Sequence, residues 1–391
     1  MTKASIHIMQ LAIGGLLALA IGLGISRFVF TPILPFMEAG LGLDKTQAGL
    51  IASANFLGYL VGALLAIRQS LPGSLRLWFL SALMVCALTT ILMGLSDSIG
   101  VFLFLRFVGG IASAFVMIFG TTLILNRFAE QGRSSLSALY FAGVGVGISL
   151  SSLLIMSLIA IGTDWREMWI WTGCLSAAML LPVFWLVPGE GKAVVIVESP
   201  PKMSFSNPLK ALILSYFLLG FGYIITATFI SVLVRQIPGL QWMQTLVWLV
   251  VGLAGIPSVA IWSWVGRRIG NHNSYALASL CLAIGVAGSV YAASAGAVLA
   301  SAVLLGGTFM GMSAVGLVHA REMLPGNARQ ILAIMTLAFG LGQTIGPVFA
   351  GYIYGIFGDF VVASLIASAG LGIAALLTAL GKTSALQNPG R

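Results

Sequence analysis

Charge divides this chain more sharply than any motif does. Eleven stretches of 20 residues or more carry no Asp, Glu, Lys or Arg: 4–26, 46–67, 77–96, 107–126, 134–163, 168–189, 211–234, 236–266, 269–320, 330–358 and 360–381. A helix crossing a bilayer needs roughly 20 apolar residues. The stretch 269–320 is too long for one crossing and breaks naturally at Ser294-Ala295-Gly296, so about twelve spans are expected. Charged residues make up 7% of the chain, against about 25% in soluble domains. A soluble fold could not hide this much apolar surface. The expected class is an all-α membrane protein.

The net charge of +9 does not call for a nucleic-acid partner, because its distribution has another cause. With the N-terminus placed in the cytoplasm, the cytoplasmic loops and ends hold Lys3, Arg68, Arg76, Arg127, Arg133, Lys192, Lys202, Lys210, Arg267, Arg268, Arg321, Arg329, Lys382 and Arg391. The opposite side holds Lys45, Arg166 and Arg235. This is the positive-inside bias, and it predicts both termini in the cytoplasm of a bacterial inner membrane. The first segment is too long for a signal-peptide core and no A-x-A cleavage site closes it, so it is expected to stay as a span. Cys86, Cys174 and Cys281 lie in apolar segments and read as packing residues, not as a disulfide or metal framework. No metal or cofactor is expected.

The two halves repeat. Gly22-Leu-Gly24 matches Gly220-Phe-Gly222 at an offset of 198, Gly109-Gly110 matches Gly306-Gly307 at 197, and Gly145-Val-Gly147 matches Gly340-Leu-Gly342 at 195. Between the halves lies the longest polar interval, 190–210, with Pro200-Pro201 and Pro208. The expected organisation is a six-helix bundle at 1–189, a linker at 190–208 and a second six-helix bundle at 209–391. Parallel repeats of this kind place a substrate site between halves near mid-membrane. The glycines lie within spans, where small residues let helices approach closely, so they read first as packing positions.

Particular segments carry a family resemblance. Arg106-Phe-Val-Gly-Gly110 is similar to the fourth-helix motif of the major facilitator superfamily, and Gly340-Leu-Gly-Gln-Thr-Ile-Gly-Pro347 has a form familiar in its eleventh helix. GLGISRFVFTPILPFM, ASANFLGYLVGALLA, LGFGYIITATFISVLVR and LLGGTFMGM together resemble its YbfB/YjiJ-like branch. The resemblance implies two six-helix pseudo-repeats, alternating access, and a cavity lined by the first and fourth helices. Two departures stand out. The loop AIRQSLPGSLRLW, and Arg267-Arg268-Ile-Gly270 after the eighth segment, lack the carboxylate of the family's G-x-x-x-D-R-x-G-R-R signature. The fifth segment, Gly143-Val-Gly-Val-Gly-Ile-Ser149, lacks the proline typical of drug/proton antiporters.

Two cations lie within apolar sequence, Arg27 and Arg106, and no carboxylate accompanies them there. Charges inside a membrane are costly and usually face a cavity, partner or substrate. The first helix is expected to end near Pro35, and Arg27 lies eight residues earlier, about 12 Å in at ~1.5 Å per residue. Arg106 lies seven residues after Ile99, about 10 Å in. The two are therefore expected at one depth. Arginine does not shed its proton, so an anion between two guanidinium groups would relieve their repulsion, and a carboxylate suits the guanidinium fork. Arg106 has a structural alternative, tied to backbone carbonyls. Candidate substrate contacts are Arg27, Arg106, Asn55, Tyr59, Tyr223, Thr226 and Gln343, and candidate coupling groups are Glu38 and His319. The expected function is a transporter, not an enzyme, moving a small organic anion as a monomer in the lipid bilayer. The alternatives are an exporter of a neutral or amphipathic metabolite or drug with structural arginines, and a non-transporting sensor or lipid-handling protein.

Overall fold

The computed structural model describes residues 3–66, 73–189, 205–324 and 327–386. Among them there are helices and no strands. Twelve helices are long and apolar enough to cross a membrane. Spans 1–6 are His7–Leu41, Lys45–Ala66, Leu75–Met93, Ile99–Glu130, Ser134–Ala160 and Trp165–Leu186. Spans 7–12 are Asn207–Gln236, Gln241–Ile269, Asn271–Tyr291, Ala295–Met323, Gln330–Phe357 and Val361–Leu380.

Two boundaries differ from the sequence expectation. The long stretch divides at Ala292–Ser294, where Ser294 caps span 10 by accepting from the Ala297 N–H at 3.3 Å. Span 1 does not stop near Pro35 but runs to Leu41, because Pro35 lies inside its last helix, Phe30–Leu41, instead of ending it. Most of the expected linker, 190–204, lies outside the described residues. Span 7 starts at Asn207, two residues before the expected second bundle, with Ser206 as its cap and Pro208 in its first turn. Serine satisfies an orphan N–H there, and proline has none to leave unpaired.

The packing repeats with a period of six spans. Span 2 packs on 4 as 8 packs on 10, 3 on 4 and 6 as 9 on 10 and 12, and 1 on 5 as 7 on 11. Three further pairings join the first six spans to the last six: 2 with 11, 5 with 8, and 1 with 7. Glycines set how closely these helices cross. A Cβ on Gly110 would collide with the Asn55 carbonyl of span 2, and one on Gly306 with the Val251 carbonyl of span 8. The structural match is therefore Gly110 with Gly306, one residue away from the sequence pairing. Gly145 sits against Gly252 and Gly255 at the 5–8 crossing, and Gly143 and Gly147 against Leu16 and Ala20 of span 1. These positions serve packing, as small residues do in membrane helices.

Gly110→Ala should destabilise the protein by about 1–3 kcal/mol, the usual cost of overpacking. Gly307→Ala should leave stability unchanged, because a Cβ there meets nothing within 4 Å. Thermal unfolding in detergent reads both.

Candidate functional site

Span 1 is broken at its middle. Its turns widen over Ala20–Ile25, where the Ser26 N–H reaches back five residues to the Ile21 carbonyl at 3.0 Å. A helix resumes at Phe30. Pro32 accounts for part of the break, since it has no N–H to return to Phe28 and its ring crowds that carbonyl. The Thr31 N–H bonds Phe28 instead, at 3.3 Å, and so leaves the Arg27 carbonyl that a regular helix would give it.

Arg106 fills this break. Its Nη1 donates to the Ser26 carbonyl at 2.9 Å and its Nη2 to the Arg27 carbonyl at 3.0 Å. The guanidinium lies 5.2 Å from the Phe30 ring centre. Asn55 of span 2 holds the same region by donating its Nδ2 to the Arg106 carbonyl at 2.9 Å. The two arginines do sit at one level, since one binds the backbone of the other. Arg106 thus takes the structural alternative, with both Nη atoms committed to the main chain. A planar guanidinium bridges two adjacent carbonyls in a way an ammonium cannot.

Arg27 points to the contact between halves. It is 4% exposed. Its Nη2 donates to Gln343 Oε1 of span 11 at 2.5 Å, and Gln343 Nε2 in turn donates to the Tyr223 hydroxyl of span 7. Its Cζ lies 4.4 Å from the Tyr59 ring centre and 4.7 Å from that of Phe56. Tyr223 is held between Phe309, at 5.3 Å and 12°, and Phe339, at 5.8 Å and 10°. Of the expected contacts, the structure brings together Arg27, Tyr59, Tyr223 and Gln343. Asn55 stands behind Arg106. Thr226 is buried one turn after Tyr223, and its hydroxyl has no partner among the described residues.

The polar accounting at Arg27 is incomplete. Among the described residues neither Arg27 nor Arg106 has an ion-pair partner. Arg27 Nε is buried with no hydrogen-bond partner. Nε and Nη2 form one edge of the guanidinium, whose two N–H bonds run parallel and match the two oxygens of a carboxylate. Gln343 supplies one oxygen to that edge.

The coupling candidates lie elsewhere. Glu38 pairs with Lys45, and Lys45 lies 5.7 Å from the Tyr354 ring centre of span 11. Beside them Arg235 of span 7 donates to the Pro35 carbonyl, Thr46 to the Gly351 carbonyl at 3.4 Å, and Gln236 to the Tyr354 hydroxyl at 3.2 Å. This end of the bundle, opposite the chain termini, is tied across the halves by Arg235, Thr46 and Lys45, while the Gln236–Tyr354 bond lies within the second half. His319, near the other end, is 3.5 Å from Glu322, which also accepts from Asn271 at 2.7 Å. Sequence reasoning missed Phe56, Phe309 and Phe339. The spacing of Phe56 and Tyr59, three apart on one helix face, was the available signal.

The structure superposes on that of the nucleoside transporter NupG with a TM-score of 0.72 at 13% identity, covering 96% of this chain and 99% of that one. It superposes on a bacterial homolog of the human lysosomal transporter Spinster, in an inward-facing and occupied conformation, with a TM-score of 0.73 at 14% identity and full coverage of both chains. These likenesses show the fold. In sequence, the uncharacterised transporters YtbD and YceJ of Bacillus subtilis (strain 168) are each 24% identical, over 68% and 85% of this chain and 67% and 86% of their own lengths. The Arabidopsis thaliana organic cation/carnitine transporter 3 is 30% identical over 41% of this chain and 33% of its own length. The family model described as "Uncharacterised MFS-type transporter YbfB" matches residues 19–379, and with twelve apolar helices and this fold the chain belongs to that family of multi-pass major facilitator superfamily transporters.

Proposed function

We propose that this transporter carries a small organic anion, a carboxylate, anchored on Arg27. One observation carries the reading: a buried guanidinium edge between the halves, half-satisfied by the neutral Gln343 and with Nε unpartnered. A hydrogen bond to a charged group is worth more than one between neutral groups, and an unpaired buried donor is costly. A carboxylate entering here satisfies both N–H bonds and compensates the charge. A cation would meet Arg27 without relief. The rings of Phe56 and Tyr59 lie against the guanidinium.

Alternating access follows from where the bonds lie. The halves, one on each side of the 190–208 interval, rock about the 2–11 and 5–8 crossings. In the conformation described, the closed end is the one joined by Arg235 to Pro35, Thr46 to Gly351 and Lys45 to the Tyr354 ring. The positive-inside bias makes that end the outer one, in a bacterial inner membrane with both termini cytoplasmic. Glu38 belongs to this outer closure through Lys45. Arg106 is a positioning residue, since it holds the broken turn that presents Arg27.

Arg27→Ala should lose carboxylate binding by about 30-fold or more, corresponding to roughly 2 kcal/mol or more for a buried charged hydrogen bond. Gln343→Glu should place a resident carboxylate on the fork, raising the melting temperature and abolishing uptake. Thermal shift and proteoliposome flux with labelled lactate read both, and unchanged binding by Arg27→Ala contradicts the anchor.

Arg106→Lys should speed hydrogen exchange in peptides covering residues 20–31 and weaken anion binding, with Arg106→Ala doing both more strongly. Exchange no faster than in the wild type would remove Arg106 from its positioning role.

A further inference from the structure

We infer that the preferred substrates are 2-hydroxy carboxylates: a carboxylate with a neutral O–H donor on the adjacent carbon. This rests on the reading of Arg27 as the anion anchor. The template is Gln343 itself. Its amide is a small planar group gripped at both ends, with Oε1 accepting from Arg27 and Nε2 donating to the Tyr223 hydroxyl oxygen. A ligand that displaces the amide from Arg27 inherits both partners. Its carboxylate takes the Nε–Nη2 edge, and a donor beside that carboxylate is needed to replace Nε2 at Tyr223.

Tyr223 cannot easily turn away to find another donor. Its ring lies nearly parallel between Phe309 and Phe339, and the residue is buried. A phenol oxygen stripped of its donor in such a site loses a hydrogen bond without regaining water. The geometry of the displaced group sets the spacing. Across an amide, the acceptor oxygen and donor nitrogen share one carbon; a 2-hydroxyl, on the carbon next to the carboxylate and turned syn to one of its oxygens, gives the shortest donor–acceptor spacing an acid can offer in its place. An ammonium in the donor position is disfavoured, because it would bring a second cation beside Arg27. A site built to bond a hydroxyl discriminates strongly against the analogue lacking it.

The test is a substrate-by-residue cycle on the full protein. Lactate is compared with propionate, and mandelate with phenylacetate, for wild type, Tyr223→Phe and Gln343→Ala. Wild type should bind each hydroxy acid at least tenfold tighter than its deoxy partner, and Tyr223→Phe should bring the two within about twofold. Gln343→Ala removes the competing amide, so it should bind both acids more tightly and keep the preference, which guards against a poorly folded Tyr223→Phe protein. Equal binding within each pair, with Arg27→Ala losing both, overturns the hydroxyl inference and leaves the anchor standing. Arg27-independent binding, or binding of neither pair, overturns the anchor as well.

A separate observation carries a second assignment: the structure assigns a bound-water site behind Arg106. A cavity of ≈ 10 Å³ is lined by Ser26, Asn55, Thr89, Thr90, Arg106 and Gly109, together with three apolar side chains. Two buried atoms of its lining residues have no hydrogen-bond partner, the donor Arg106 Nε and the acceptor Asn55 Oδ1. Water both accepts and donates, and the volume is about that of one water. A halide would satisfy Arg106 but repel the amide oxygen. Gly109 keeps the space: a Cβ there would lie 3.0 Å from Thr89 Oγ1 and 3.8 Å from Asn55 Nδ2. High-resolution density for wild type should show water bonded to Arg106 and Asn55. Gly109→Ala should lose it and lower the melting temperature, whereas Gly109→Ser, whose hydroxyl can take the water's place, should recover most of that stability. A dry cavity, an anomalous signal after bromide soaking, or an unaffected Gly109→Ala protein overturns the assignment.

Discussion

The contact on which the rest of the structure depends is the guanidinium of Arg106 against the carbonyls of Ser26 and Arg27. A helix broken inside apolar surroundings leaves polar main-chain groups without water, and such groups are costly unless something else bonds them. Arg106 supplies those bonds from a neighbouring helix and brings a charge to the negative end of the first half-helix, where a cation is favoured. The break can then persist, and it is the break that carries Arg27 away from regular helical packing toward span 11.

One guanidinium thus holds the main chain of its own half, while the other reaches across to the second half. Arg106 is surrounded by its own half: span 1 through two carbonyls and Phe30, span 2 through Asn55. Arg27 reaches the other half through Gln343, and Gln343 reaches Tyr223. Charge comes from the first half, while amide, phenol and stacked rings come from the second. That division suits a carrier whose halves must separate. The neutral amide of Gln343 meets the Arg27 edge through one oxygen, and the proposed carboxylate would make better use of the same edge.

Much of the fold was legible because composition dictates it. Uncharged runs of sufficient length become spans, and glycines that recur between halves become crossings. The end of span 1 was not legible, because Pro35, which looks like a stop, lies inside the helix Phe30–Leu41; Pro32, which cannot return a hydrogen bond, was the clue to the break. Arg27, Tyr59, Tyr223 and Gln343 were legible as polar or aromatic groups in apolar sequence. Their meeting was not, since Arg27 and Gln343 lie 316 residues apart. Nor was the commitment of Arg106, because its partners are main-chain carbonyls that every residue has. Phe56, Phe309 and Phe339 were hidden because aromatic residues are common in any membrane helix.

The central claim is that a carboxylate takes the place of Gln343 on the Arg27 fork. A structure of the protein with a bound 2-hydroxy carboxylate tests it most directly. The account predicts carboxylate oxygens within hydrogen-bond distance of both Arg27 Nε and Nη2, with Gln343 Oε1 withdrawn and the Arg106 bonds to Ser26 and Arg27 unchanged. A ligand bound elsewhere, with the Arg27–Gln343 bond intact, would contradict it.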